Sequence, residues 1–126
     1  MATPVLRMIT AAGESRDEPS WETLADALSE MNTRYRFVIL ERLDREPADQ
    51  HYMQVYMNDD HSCQVEYREG SADRHFQAQV PAPPEVERYQ GIATLMNDWG
   101  HDRPGWRSAV DWQPKPVAPA NQSGAR

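Results

Sequence analysis

The most regular pattern in the chain is Cys63-Gln64-Val65-Glu66-Tyr67-Arg68, in which apolar and polar residues alternate. Strict alternation predicts a strand with one buried face and one exposed face. The alternation returns in Arg74-His75-Phe76-Gln77-Ala78-Gln79-Val80. A polar loop containing Gly70 lies between the two stretches, so together they predict a β-hairpin.

The register of this hairpin follows from the requirement that the two apolar faces coincide. A four-residue loop over 69–72 pairs Arg68 with Asp73, Glu66 with His75, and Val65 with Phe76. A shift of one residue would place Glu66 opposite Phe76 and mix the faces, which the pleat of a strand forbids. The sequence therefore predicts Glu66 directly opposite His75 on the polar face.

Two further strands are predicted before the hairpin. Residues 35–40 (Tyr-Arg-Phe-Val-Ile-Leu) and 52–57 (Tyr-Met-Gln-Val-Tyr-Met) are rich in the β-branched and aromatic residues that favour strands. The first of them is predicted to be buried on both faces for part of its length. Residues 5–9 fit either a short strand or a frayed terminus, and the polar residues 13–20 predict a loop.

Helical periodicity appears on both sides of the strands. Ser20 is suited to the N-cap of a helix, because its hydroxyl can accept a hydrogen bond from an early backbone N–H. The apolar residues that follow recur on one helix face, to an end near residue 32: Trp21, Leu24, Leu28 and Met31. A second apolar stripe precedes Gly100, which suits the position after a helix: Val86, Tyr89, Ala93 and Met96.

The order of these elements predicts an α+β fold. A four-stranded antiparallel meander is flanked by two amphipathic helices, and residues 5–9 add an N-terminal strand if they pair. Trp106 and Trp112 are expected to close one edge of the core. Residues 1–112 are predicted to form a single domain. Residues 113–126, with Pro, Gly and Ser and no large aromatic, are predicted to be a disordered tail.

Charge and cysteine content exclude several classes of protein. The 126 residues include 13 basic and 20 acidic side chains, a net charge of -7, whereas phosphate-neutralising proteins and anionic-lipid binders need basic surfaces. Neither a nucleic acid nor a membrane is therefore expected as a partner. The single Cys63 cannot form an internal disulfide, and no apolar run approaches the ~18 residues of a membrane span. We therefore expect a cytoplasmic protein.

The negative charge is concentrated in residues 14–30, which carry five of the seven net negative charges. Such a patch would steer a basic protein partner toward this surface. The alternative is a helix face that charge keeps soluble. The candidate partner-binding residues of this acidic segment are Glu14, Asp17, Glu18, Glu22, Asp26 and Glu30.

The polar face of the meander is a second candidate binding surface. Tyr and Arg supply contact area and directional hydrogen bonds at protein interfaces, although an ordinary solvated sheet face has a similar composition. The candidate residues are Tyr52, Gln54, Tyr56, Glu66, Arg68 and His75, with Gln64, Gln77 and Gln79 beside them.

Glu66 and His75 are also the best candidates for catalysis, because a carboxylate can orient a histidine and raise its basicity. The non-catalytic interpretation of the same pair is a cross-strand ion pair. The chain has no glycine-rich phosphate loop, paired-cysteine zinc site or nucleophile elbow, which favours a protein that is not an enzyme. His51, His61 and Cys63 match no metal-ligand spacing, so neither a metal nor a cofactor is expected.

Several short stretches suggest a family. They are Tyr52-Met53-Gln54-Val55, the turn 58–62 leading into Val65-Glu66-Tyr67, the strand with His75-Phe76, and Trp106. In this order the chain resembles the small α+β immunity proteins of bacterial polymorphic toxin systems, of the kind found beside deaminase-type toxins. It also resembles small actinobacterial proteins to which no role has been assigned.

The resemblance to immunity proteins implies a non-catalytic protein that neutralises one cognate toxin by tight binding. Toxins that act on nucleic acid must themselves attract a polyanion, so an acidic segment would suit a basic toxin. Two alternatives stay open. One is a small-ligand-binding protein or enzyme that uses the polar sheet face around Glu66 and His75. The other is a homodimer that pairs this face or an edge strand.

Overall fold

The strands form one large antiparallel sheet. Alternate side chains along the central strands are buried, which gives the sheet a single apolar face. A computed structural model describes residues 4–81 and 89–115. The strands are β1 (Leu6–Thr10), β2 (Ser15–Asp17), β3 (Phe37–Arg42), β4 (His51–Met57), β5 (Cys63–Glu69), β6 (His75–Val80) and β7 (Gln113–Pro114). The helices are α1 (Trp21–Ser29), α2 (Gln90–Gly100) and α3 (Trp106–Ala109), and a 3-10 turn covers Ala72–Arg74. The strands lie in the order β2-β1-β3-β4-β5-β6-β7.

The α+β class and the antiparallel sheet are confirmed, but the predicted number of strands is wrong. The sheet has seven strands rather than four with one N-terminal addition, and the described residues form three helices rather than two. Residues 6–10 do pair, as β1. The strands that were not predicted, β2 and β7, are short, polar edge strands. Backbone hydrogen bonds to a neighbouring strand hold them in place. Their sequences therefore need no alternation of apolar and polar residues, and the pattern could not predict them.

The sheet extends past the predicted domain boundary at residue 112. Gln113 and Pro114 pair with β6, and the backbone N–H of Lys115 donates to the carbonyl of His75 at 2.8 Å. Proline is tolerated there because β7 is an edge strand. The remainder of the predicted tail, 116–126, lies outside the described residues, as do 82–88 with Val86 and the prolines before it.

The helices pack on the apolar face of the sheet. Ser20 caps α1 as predicted, since its hydroxyl accepts from the backbone N–H of Thr23 at 3.1 Å. The core between the helices and the sheet includes Leu28 and Met96 from the helices and Leu40 and Met53 from the strands. Burying a side chain of this kind stabilises the fold by about 1.5–3 kcal/mol.

The predicted faces of the β5–β6 hairpin are correct, but its register is wrong by two residues. Arg68 pairs with His75, Tyr67 with Phe76, and Glu66 with Gln77. The loop is longer than predicted, because Gly70 (φ +98°) begins a turn that continues through Ala72–Arg74 before β6 starts. A shift of two preserves which side chains share a face, so the pleat argument excluded a shift of one and could not exclude this one.

The tryptophans close one edge of the core, as expected. The Tyr67 ring lies between Trp106 and Trp112, with edge-on contacts at centroid distances of 4.8 and 4.7 Å. Phe76 stacks on the same ring at 5.0 Å. The indole N–H of Trp112 donates to the backbone carbonyl of Trp106 at 3.2 Å. This aromatic cluster packs the segment 106–112 against the sheet.

Within 4–81 and 89–115, no helix is long and apolar enough to cross a membrane.

Candidate binding face of the sheet

The sheet face opposite the helices, here called the open face, consists of three cross-strand rows of side chains. The described helices all pack on the other side. The first row is Arg7, Glu41, Tyr52, Arg68 and His75. The middle row is Ile9, Ile39, Gln54, Glu66 and Gln77. The third row is Phe37, Tyr56, Gln64 and Gln79. The structure therefore brings together all six of the candidate residues predicted for the polar face.

Glu66 is the centre of a hydrogen-bond network on the open face. Its Oε1 accepts from His75 Nε2 at 2.7 Å and from Lys115 Nζ at 3.0 Å, and its Oε2 accepts from the amide of Gln64. The side chain is only 12% exposed. Burial by itself raises the pKa of Glu66, but the donors from His75, Lys115 and Gln64 outweigh burial and lower the pKa to about 2. Glu66 is therefore a carboxylate at neutral pH.

His75 has both ring nitrogens engaged. Arg68 Nε lies 3.0 Å from Nδ1, and a guanidinium nitrogen is always a donor, so Nδ1 must accept. The ring proton then resides on Nε2 and is donated to Glu66. Arg68 is itself held by Gln50, whose Oε1 accepts from its Nη1 at 2.7 Å. The ring of His75, with 6% of the side chain exposed, is thus held in one orientation by Arg68 and Glu66.

This arrangement bears on the proposed catalytic use of Glu66 and His75. The two side chains do touch, diagonally across the hairpin rather than directly opposite. A histidine base needs a free lone pair within reach of a substrate, and Arg68 occupies the lone pair of Nδ1. The 2.7 Å contact between His75 Nε2 and Glu66 Oε1 is also the cross-strand contact on which the non-catalytic interpretation rests. The hydrogen bonds of this network hold Glu66, Arg68 and His75 in fixed positions.

Tyr52 and Tyr56 flank the network. The guanidinium of Arg68 lies over the Tyr52 ring at 5.9 Å, and the His75 ring meets the same tyrosine edge-on at 6.0 Å. Arg36 lies over the Tyr56 ring at 5.8 Å and donates to Asp59 at 2.6 Å. Tyr56 is 37% exposed, which is unusual for a large apolar side chain in this protein.

The acidic segment is divided by the fold. Asp17 pairs with Arg7 at 2.7 Å on the open face, and the Glu18 carboxylate accepts from the backbone N–H groups of Val5 and Leu6. Both residues are thereby occupied in holding β1. Glu22 lies exposed in the first turn of α1.

The other three acids of this segment line a cleft of about 350 Å³ between α1 and the β1–β2 hairpin. These acids are Glu14, Asp26 and Glu30, and Arg16 faces the same cleft. The cleft lies on the helix side of the sheet, because it is also lined by Met8, whose side chain belongs to the core. The three acids of the cleft and the candidate residues of the open face therefore lie on different sides of the sheet, whereas Asp17 shares the open face.

The residues weighed for a metal site are separated. Cys63 is fully buried in the core at the start of β5. His61 is exposed in the preceding turn, and His51 lies at the far end of β4, with its ring against Gly70. Across the described ranges, no three His, Cys, Asp or Glu side chains converge on a point where an ion could bind.

Two members of the network could not be found from local pattern. Gln50 precedes β4 and Lys115 follows β7, each far in sequence from Glu66 and Arg68. Lys115 is the only lysine in the chain, which is the one signal that could have drawn attention to it.

No known protein family matches the chain, and neither a curated protein nor a solved structure shows significant similarity to it.

Proposed function

We propose that the chain is a non-catalytic binding protein that docks on a basic protein through its open face, as an immunity protein neutralises its toxin. The observation that carries the proposal is a broad sheet face that no described helix covers and whose central polar side chains are already fixed by one another. The sequence resemblance to immunity proteins agrees with this function.

Pre-organisation of the network favours binding. Ordering a long polar side chain at an interface costs about 0.5–1.5 kcal/mol, and Glu66, Arg68 and His75 are ordered before a partner arrives. Tyr and Arg are also the residue types that dominate binding energy at interfaces. Tyr52 and Tyr56 therefore supply the contact area, and the largely buried Glu66 and His75 hold the side chains around them in fixed positions.

Charge has a separate role in the proposal. The ionised side chains of the open face nearly balance, with Arg7, Arg68 and Lys115 against Asp17, Glu41 and Glu66. The net charge of -7 acts instead as a long-range field that draws in a basic partner. Association should therefore slow as salt increases, whereas dissociation should depend on contacts at the open face.

The decisive experiment compares two tyrosines of nearly equal exposure. Tyr56, 37% exposed, lies on the open face, and Tyr35, 39% exposed, lies beside the acidic cleft. The proteins encoded by neighbouring genes would be purified as candidate partners and their binding kinetics measured. Tyr56→Ala should raise the dissociation rate about tenfold or more, equivalent to about 1.4 kcal/mol, whereas Tyr35→Ala should leave it within twofold.

The opposite pattern would overturn the proposed docking face. If Tyr35→Ala accelerated dissociation and Tyr56→Ala did not, the partner would be docking at the acidic cleft. Absence of binding by any basic neighbouring product would count against the immunity role itself. Glu22→Gln serves as a charge control, because this exposed residue should change the association rate and its salt dependence but not dissociation.

The alternative of a ligand-binding protein or enzyme centred on Glu66 and His75 makes a different prediction for His75→Ala. If His75 served chemistry alone, stability would be unchanged and ligand binding lost. The network predicts instead a loss of roughly 2–3 kcal/mol in stability, because Glu66 and Arg68 each lose a buried hydrogen-bond partner. Urea unfolding of the variant distinguishes the two.

A further inference from the structure

A cavity of about 220 Å³ opens where β3 ends and β4 begins, at one end of the sheet. Its walls also come from β5 and from the segment around α3. Five of the chain's twelve arginines line it, although the whole protein is acidic: Arg42, Arg45, Arg68, Arg103 and Arg107. The lining carboxylates are Glu69 and Asp102. Asp44 and Asp98 lie behind the lining and pair with Arg42 and Arg103, so the five arginines exceed the described carboxylates around them by one.

Arg42 is the anchor of this cluster. It is 7% exposed, and its three guanidinium nitrogens bond to Asp44 and Asp102 at 2.8–2.9 Å. Asp102 also accepts from Arg45 at 2.7 Å, through the same Oδ1 atom that bonds Arg42. One carboxylate thus serves two arginines. Arg45 uses only its Nη2 in hydrogen bonds to described residues, so its other donors are available to a ligand.

The contacts of Arg103, Arg107 and Arg68 with described carboxylates are fewer than those of Arg42. Arg103 lies 3.7 Å from Asp98, beyond hydrogen-bond distance, and its side chain is 60% exposed. Arg107 stacks on the Trp106 ring at 4.4 Å and uses Nη2 to reach Glu69 at 3.0 Å. Stacking of this kind fixes the plane of a guanidinium. Arg68 has no carboxylate partner among the described residues.

We propose that this cavity binds the phosphate group of a small phosphomonoester. Guanidinium groups recognise phosphate and carboxylate oxygens through paired N–H donors. The guanidinium donors of Arg45, Arg103 and Arg107 that make no bond to a described residue exceed what one carboxylate accepts in paired geometry, and they suit a phosphate with three terminal oxygens. The cavity volume accommodates a phosphate with a short organic substituent, and Trp106 gives the substituent an aromatic wall.

The test measures binding of inorganic phosphate and of glycerol 3-phosphate by calorimetry, with chloride at matched ionic strength as the reference. We expect saturable binding of both phosphates and a rise in Tm on the order of 2–4 °C at saturation. The double variant Arg45→Gln/Arg103→Gln should weaken binding about tenfold or more. Arg68 is left intact because it also belongs to the open-face network.

The matched control is Arg16→Gln/Arg34→Gln, which removes the same charge from exposed positions outside the cavity. Equal weakening in the control would show a general charge effect and overturn the site. A rise in Tm with chloride equal to the rise with phosphate would also overturn the site. Glycerol 3-phosphate binding ten times more weakly than inorganic phosphate would overturn the assignment to an ester. Phosphate binding should be unchanged in Tyr56→Ala, so the site can be tested separately from partner docking.

Discussion

At Glu66, burial and hydrogen bonding shift the pKa of one carboxylate in opposite directions. Burial disfavours the charge, and the donors from His75, Lys115 and Gln64 favour it more strongly, so that the pKa falls from 4.5 to about 2. The folded protein therefore binds this proton less readily than the unfolded chain does. The stabilisation from Glu66 is complete above pH 4.5 and is lost as the pH falls through 2.

We predict that Glu66→Gln destabilises the protein by roughly 2–3 kcal/mol at pH 7, since the charge-assisted bonds to His75 and Lys115 are lost. The difference between wild type and variant should shrink as the pH approaches 2. Urea unfolding at several pH values measures it, and comparison with the variant removes the effect of the other carboxylates. A difference that stayed constant down to pH 2 would contradict the proposed network.

His75 should exist as the Nε2–H tautomer, because Arg68 donates to Nδ1. The ¹⁵N chemical shifts of the imidazole, measured by long-range ¹H–¹⁵N correlation at neutral pH, report which nitrogen carries the proton. We expect Nδ1 to show the shift of a lone-pair nitrogen, and Arg68→Met to abolish this preference. Equal populations of both tautomers in the wild type would show that Arg68 does not hold the ring.

At the scale of elements, α2 approaches the sheet most closely at its C-terminal end. A Cβ atom at Gly100 would lie 3.1 Å from methyl groups of both Leu6 and Leu40, which is tighter than most Cβ contacts, so that the two leucines would have to shift by a few tenths of an ångström. The contact between helix and sheet therefore favours glycine there. Gly91, near the other end of the same helix, has no described atom within 4 Å of such a Cβ.

These two glycines predict opposite effects of the same substitution. Gly100→Ala should destabilise the protein by about 1–3 kcal/mol through overpacking, whereas Gly91→Ala should be neutral or stabilise it by up to ~1 kcal/mol through helix propensity. Thermal and urea unfolding of both variants provide the comparison. Equal destabilisation would mean that the close approach of α2 to Leu6 and Leu40 is not the cause.

The hairpin shows how far element-level prediction could reach. Apolar alternation correctly assigned each residue of β5 and β6 to a face, because burial of one face depends only on the order of side chains. The register depended on how many residues the turn takes up. Gly70 and the 3-10 turn after it lengthen the loop, and nothing in the alternation distinguishes that loop from one two residues shorter.

At the scale of the whole molecule, the described helices cover one face of the sheet and leave the other open. Its edges are β2, of three residues, and β7, of two residues including Pro114. Short edge strands and proline limit the backbone groups that β2 and β7 offer to another chain, although β7 covers only Phe76 and Gln77 of β6 among the described residues. Dimerisation through an edge, one of the alternatives considered from the sequence, is therefore disfavoured by the shape of the sheet.

We predict a monomer at micromolar concentrations, with the open face left for a different protein. Size-exclusion chromatography with light scattering measures the mass, for which the monomer value is 14.5 kDa. A dimer that Tyr56→Ala dissociates would contradict this, because it would show that the open face binds a second copy of the chain. Arg16→Gln, which lies away from that face, is the control.

Local order along the chain was sufficient to predict the α+β class, the N-cap at Ser20, the apolar faces of the central strands and the placement of Glu66 and His75 on one face, but not their pairing. These features depend on residues close in sequence, whose secondary-structure propensity and apolar periodicity can be determined without knowledge of the fold. The edge strands, the exact register, the roles of Gln50 and Lys115, and the separation of the acidic cleft from the open face were decided by the tertiary structure. So was the arginine-lined cavity, because its side chains come from segments between positions 42 and 107 that only folding brings together.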